Sequence, residues 1–241
     1  MTTVHMMTIH SEGEAPPFVM LVGLGGHSSS FQAMVATLSG FRVVRPDFPG
    51  AGRSPTPPQE TITIGFLVEM LEGAAAHLGA QRAHVVAYSF ETLIAPHLAA
   101  RLPQPVASLI CSGRFSNRRM AHANGLARTA TAPHEGMSAV ADHLSGSALA
   151  SAAATDNPMA FAFVRESHMR RDVDGFAPSR KAPGQVEKAD HRLIDCLTLI
   201  VTGDEDAVGP PSIAQELAGK IGGAKTVILN CCGHWTPIEK T

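Results

Sequence analysis

The chain predicts an α/β fold with a mostly parallel central sheet, helices on both faces and a helical cap insertion. Three observations carry that prediction. Short runs rich in β-branched residues recur along the 241 residues, and helix-length apolar patterns separate them. One long stretch, about 114–190, breaks the rhythm with helical patterns and no convincing strand.

The strand-sized runs are "FVMLVG" (18–23), "FRVVRPD" (41–47), "AHVVAYS" (83–89), "ASLICSG" (107–113), "LTLIVTG" (197–203) and "KTVILN" (225–230). All but the last end in, or run straight into, glycine, serine, proline or aspartate, which punctuates a strand. Between them lie "SFQAMVATLSG", "IGFLVEMLEGAAAHLG", "FETLIAPHLAARL" and "PSIAQELAGKIG", each with apolar spacing suited to a helix lying on a sheet. The stretch 114–190 is too long for a loop, and "MSAVADHLSGSALASAAA" and "NPMAFAFVRESHMRR" within it read as helices. A helical cap subdomain inserted between core strands is therefore expected, within one domain spanning 1–241. Insertions at the carboxyl ends of parallel strands commonly cover a ligand crevice.

Bulk properties exclude several classes of function. A net charge of −2, without a Lys/Arg run, gives no electrostatic case for nucleic acid or an anionic membrane. The opening "MTTVHMMTIHSEGEAPP" has neither the basic start nor the apolar core of a secretory signal, and no segment is apolar enough to span a bilayer. Cys111, Cys196, Cys231 and Cys232 match no zinc spacing and make a poor disulfide framework, so free thiols in a reducing cytoplasm are expected. The twelve histidines form no HExxH-like pair, so no metal is expected. The "GLGGHS" turn with Gly23, Gly25 and Gly26 lacks nucleotide-cradle spacing, so no cofactor is expected either.

Chemistry is foreshadowed at three strand ends. Ser89 sits between a buried strand and a helical pattern, where a tight turn would present its hydroxyl and aim the next amide at a developing oxyanion. "GDEDAVGPP" follows the strand at 197–203 and offers Asp204, Glu205 and Asp206 as the acid; "NCCGHWTP" follows the last strand and offers His234 as the base. Serine, acid and histidine in that order, each just past a strand, form one recognised triad arrangement. Duller readings stand beside these: a serine ending a strand, a surface acidic turn, a histidine satisfied in a loop.

Taken together, "VMLVGLGG", "RVVRPDFPGAGRS", "HVVAYSFETLIAPHLAA", "TLIVTGDEDAVGPP" and "CGHWTPIEK" resemble an α/β-hydrolase over nearly the whole chain. The branch they look most like is the 3-oxoadipate enol-lactonase-like group of small esterases and lactonases. The resemblance implies Ser89 as nucleophile, Asp206 as acid and His234 as base, with the backbone N–H groups of Leu24 and Phe90 as the oxyanion hole. It implies no cofactor and a small ester or lactone as substrate. Asp47, Gly50, Gly52, Arg53 and Ser54 match a loop that is mostly structural in that family.

The sequence departs from the family pattern in three places. Val22-Gly23 stands where histidine-glycine is usual, and the elbow reads A-Y-S-F-E, with Ala87 and Glu91 in place of glycines. The chain stops at "PIEKT", where relatives continue into a closing helix; this favours marginal stability or pairing of two copies in a homodimer. Glu91 is expected to be a helix N-terminal carboxylate facing solvent. A sharper reading is that its charge opposes the anionic intermediate, costing about 2–3 kcal/mol at roughly 6–8 Å and an effective dielectric near ~20. Arg165, Arg170 and Arg171 in the insertion could meet a substrate carboxylate, although solvated helix charges are the plainer expectation.

Two other functions use the same residues. A cofactor-free perhydrolase or haloperoxidase would place peroxide where the hydrolase uses water. A degenerate, non-catalytic binding homologue would also show an altered elbow.

Overall fold

A computed structural model describes residues 2–4, 7–14, 17–21, 27–55, 63–102, 105–114, 136–169 and 189–240. Eight strands form one sheet in the order β1-β2-β4-β3-β5-β6-β7-β8. These are β1 (Thr2–Val4), β2 (Met7–Glu12), β3 (Pro17–Leu21), β4 (Arg42–Asp47), β5 (Ala83–Tyr88), β6 (Val106–Ser112), β7 (Leu197–Gly203) and β8 (Lys225–Leu229). From β4 to β8 every neighbouring pair is parallel, while β1 and β2 add antiparallel at one edge.

Strands β1 and β2 are absent from the strand runs read in the sequence. The pattern of β2 is alternation: Met7 and Ile9 enter the apolar core, while Thr8 and His10 alternate with them. No continuous apolar run marks such a strand, because only one of its faces meets apolar core.

Alternation along β5 and β6 divides the core into two layers. Val85, Ala87, Leu109 and Cys111 pack with α2 (Ile64–His77) and α3 (Ala95–Arg101) on one face. Val86 and Tyr88 pack on the other with Phe31, Ala148, Val164 and Trp235. Helix α2 buries Ile64, Leu67, Val68, Met70, Leu71 and Ala74, the spacing of one helical stripe. Thr63 caps it by accepting a hydrogen bond from Phe66 N at 3.1 Å.

Two expected helices are shorter than their patterns. The 30–40 segment is broken into single turns: a 3₁₀ turn at Ser28–Phe31, α1 at Gln32–Val35 and a second 3₁₀ turn at Ala36–Leu38. The 90–102 segment opens as a 3₁₀ turn, Ser89–Leu93, before α3 begins at Ala95. Pro96 explains that break, since it has no N–H to donate and its ring would clash with the carbonyl four residues earlier.

The described part of the insertion is helical: residues 136–148, then Ala153–Asp156 and Pro158–Met169. Among the described residues no helix is long and apolar enough to cross a membrane. All four cysteines are free. Burial pushes the Cys111 thiol up to about 12, which leaves it protonated and inert.

Candidate active site

Strand β5 runs between β3 and β6 and delivers Ser89 at the carboxyl edge of the sheet. Ser89 has φ 57°, one of two non-glycine residues with positive φ among those described. A left-handed serine costs about 1–3 kcal/mol and persists only where its surroundings over-determine it. Here the buried strand fixes one side and the turn the other, with Thr92 Oγ1 donating to the Ser89 carbonyl at 2.5 Å.

The Ser89 hydroxyl lies 2.7 Å from His234 Nε2. On the opposite side of the ring, Nδ1 lies 3.0 Å from Asp206 Oδ2 and 3.1 Å from Oδ1. Three side chains from three strand ends thus form one buried chain, with relative exposures of 7% for Ser89, 5% for His234 and 2% for Asp206. Hydrogen bonding in such a dry setting is stronger than in water.

Loop geometry selects which acid reaches the ring. Asp204 and Glu205 are exposed, and both are engaged elsewhere: Asp204 Oδ1 accepts from Cys232 N at 3.1 Å, and Glu205 Oε2 from Ser151 N at 2.8 Å. Asp206 turns inward, where Oδ1 accepts from Val208 N at 2.8 Å and Gly209 N at 2.7 Å. Burial pushes its carboxyl pKa up. The His234 charge, the His234 hydrogen bond and the two loop amides outweigh that and hold it below the usual aspartate value.

The His234 ring needs space, and Gly113 provides it. Gly113 ends β6 with φ 61°, and a Cβ there would lie 3.0 Å from both Cε1 and Nδ1 of His234. Tyr88 packs against the same imidazole with ring centroids 5.3 Å apart. Gly113 and Tyr88 were visible in the sequence only as a strand-ending glycine and a strand residue. Their role depends on which loop folds over them.

Val22 and Leu24 lie outside the described residues. Phe90 is fully buried in the turn after Ser89. A few residues beyond Leu24, the Ser28 peptide is gripped on both sides: its N–H donates to Asp47 Oδ1 at 2.6 Å, and its carbonyl accepts from Arg45 Nη1 at 3.0 Å. Asp47 also accepts from Arg53 N at 3.1 Å, so the "PDFPGAGRS" loop is tied to the segment after β3. The buried Arg45 guanidinium pairs with Glu12 as well. Neither Arg45 nor Glu12 stood out in the sequence, since a buried arginine on a strand is unexpected until its partners are known.

Glu91 corrects an expectation. It does not face solvent but is buried, with 1% exposure. In the same turn, the Thr92 carbonyl accepts from Arg114 Nη1 at 2.6 Å. Glu91 is close enough to Tyr88 to contribute, after burial, Asp206 and Glu239, to raising the phenol pKa well above its usual value. In the insertion, Arg165 is on the surface and donates to Asp142 at 2.6 Å, as a solvated helix charge would. Arg170 and Arg171 lie outside the described residues. Among the described residues, no group of three or more His, Cys, Asp or Glu side chains could hold a metal ion.

Three kinds of comparison point to one fold. The family model described as the alpha/beta hydrolase fold matches residues 16–132. The 2-hydroxymuconate semialdehyde hydrolase of Pseudomonas putida is 26% identical over 96% of this chain and 85% of its own length. The crystal structure of the enol-lactonase from Burkholderia xenovorans LB400 superposes with a TM-score of 0.87 at 27% identity, covering 98% of this chain and 93% of that one. A thermophilic esterase from Thermogutta terrifontis superposes with a TM-score of 0.89 at 21% identity, covering 97% and 88%.

Proposed function

We propose that this chain, which has the α/β-hydrolase fold, is a serine hydrolase of small carboxylic esters or lactones. The observation that supports it most is the Ser89 hydroxyl, held at φ 57° and 2.7 Å from an imidazole that is itself backed by a buried carboxylate.

His234 Nε2 takes the hydroxyl proton as Ser89 Oγ attacks the carbonyl carbon, and the carbonyl oxygen becomes an oxyanion. The N–H groups of Leu24 and Phe90 bind that oxygen. His234 then gives its proton to the leaving alkoxide, which leaves an acyl-Ser89 intermediate. A water molecule, deprotonated by His234 in turn, releases the acid. Asp206 keeps the Nδ1 proton in place throughout and stabilises the imidazolium. In a lactone the leaving alkoxide stays tethered to the acyl group, so one open-chain hydroxy acid results.

Within a single domain spanning 1–241, we assign residues about 114–190 as the helical cap that shapes the acyl pocket. The four free thiols suit a reducing compartment, and we assign the chain to the cytoplasm.

The direct test is turnover of p-nitrophenyl acetate and butyrate by the wild type and by Ser89→Ala. The variant is expected to lose at least about 10³-fold in kcat. Undiminished turnover in the variant overturns the proposal.

A further inference from the structure

The middle of the helical insertion is fastened to both loops that carry the acid and the base. Residues 149–152 join the helix at 136–148 to the helix Ala153–Asp156. Three backbone groups in and beside this link are held by the core. The Ala148 carbonyl accepts from His234 N at 2.7 Å. Ala150 N donates to Glu239 Oε2 at 2.8 Å. Ser151 N donates to Glu205 Oε2 at 2.8 Å.

The two carboxylates come from the two loops that carry the acid and the base. Glu205 immediately precedes Asp206, and its own N–H donates to the Cys232 carbonyl at 2.9 Å. Glu239 lies on the short helix Thr236–Glu239 and reaches back to His234's neighbours, accepting from Gly233 N and Trp235 N at 3.1 Å each. One carboxylate therefore holds the base loop on both sides of the imidazole and the insertion as well. Packing is close at this junction: a Cβ on Gly233 would lie 2.5 Å from Ala150 N and from the Leu149 carbonyl carbon. Ala148 and Val164 of the insertion share an apolar cluster with Tyr88 and Trp235, which flank Ser89 and His234 in sequence.

We propose that Glu205 and Glu239 are positioning residues that latch residues 148–151 onto the acid and base loops. Insertion and triad then hold one relative geometry. The inference rests on the hydrolase reading for its catalytic consequence, but the latch itself is a statement about backbone amides. Glu239 governs both the insertion and the alignment of His234. Glu205, whose contact with the insertion is Ser151 N, governs chiefly the insertion and hence the acyl pocket.

Two measurements separate these roles. In hydrogen–deuterium exchange, Glu205→Ala should speed exchange at residues 149–153, and Glu239→Ala should speed it there and at 231–236. In kinetics with p-nitrophenyl acetate and hexanoate, Glu239→Ala should lower kcat about tenfold or more for both esters. Glu205→Ala should act mainly by raising KM for hexanoate, with a smaller effect on kcat than Glu239→Ala. Glu239→Gln can turn its one acceptor oxygen to Gly233 N and Trp235 N, with its NH₂ facing Ala150 N; it should recover kcat to within about threefold of wild type while exchange at 149–153 stays fast. If Glu239→Ala does not fold, Gly233→Ala, whose methyl displaces residues 149 and 150, is expected to give the same two signatures. Unchanged exchange at 149–153 in the Glu205 and Glu239 variants overturns the latch, whatever the turnover. Should the wild type itself turn over neither ester, the hydrolase reading falls and exchange alone decides the latch.

Discussion

Gly113 and His234 are in contact: the imidazole occupies the space that any side chain at residue 113 would need. The glycine also has φ 61°, so two independent constraints disfavour any other residue there. A left-handed alanine costs about 1–2 kcal/mol on backbone grounds alone. A Cβ at 3.0 Å must also push the ring or the strand end aside. Gly113→Ala is expected to lower kcat for p-nitrophenyl butyrate by about 10–100-fold while KM changes little, since a small misplacement of the base is enough. Steady-state kinetics beside a thermal melt check this; a variant that melts lower yet keeps its full kcat would show that the ring is not held by this contact.

Asp206→Asn should be nearly inactive for a reason of hydrogen-bond polarity. Val208 N and Gly209 N both donate to Oδ1, so an asparagine must place its carbonyl oxygen there. Its NH₂ then faces His234 Nδ1 from the Oδ2 position and forces the ring proton onto Nε2, which can no longer accept from Ser89. A loss of about 10³–10⁴-fold in kcat is expected, read from turnover at neutral pH.

The same residue sets a pH dependence of stability. Asp206 has a folded-state pKa below its unfolded value, so folding favours its charged form. Its contribution is complete above the ordinary carboxylate value, about 4, and is lost as pH falls through the lowered folded value. Urea midpoints for wild type and Asp206→Asn should therefore lie furthest apart near neutrality and converge in acid. Parallel curves down to about pH 3 would assign the charge no part in stability.

Glu91→Gln should accelerate acylation. The carboxylate is two residues from Ser89 and buried, so any negative charge it carries is poorly screened from the oxyanion that forms there. Replacing it with the isosteric amide is expected to raise the burst-phase rate by up to tens of fold. An equal or slower rate in the folded variant would make Glu91 a structural carboxylate of the elbow.

Much of this arrangement is legible in the sequence, and the residues show why the remainder is not. Strands β3 to β8 announce themselves because they are central or parallel and carry β-branched runs. Met7–Glu12 does not, because one of its faces is polar, with His10 beside Asp47 and Glu12 beside Arg45. The break before Ala95 follows from Pro96, a local cause that the apolar spacing of 90–102 conceals. The burial of Glu91 depends on how the turn at Ser89–Leu93 packs in the folded molecule, and the roles of Gly113 and Glu239 depend on where the His234 loop lands. Local sequence encodes strand, turn and helix end. Contacts between loops more than a hundred residues apart are fixed only by the assembled sheet.

Ser89, activated by His234, is the nucleophile on which every step above depends. A fluorophosphonate probe followed by mass-spectrometric mapping tests it most directly, because the probe reacts only with an activated serine in folded protein. A single adduct on Ser89 is expected, lost in His234→Ala and on denaturation. Folded wild-type protein with Ser89 unmodified would contradict it.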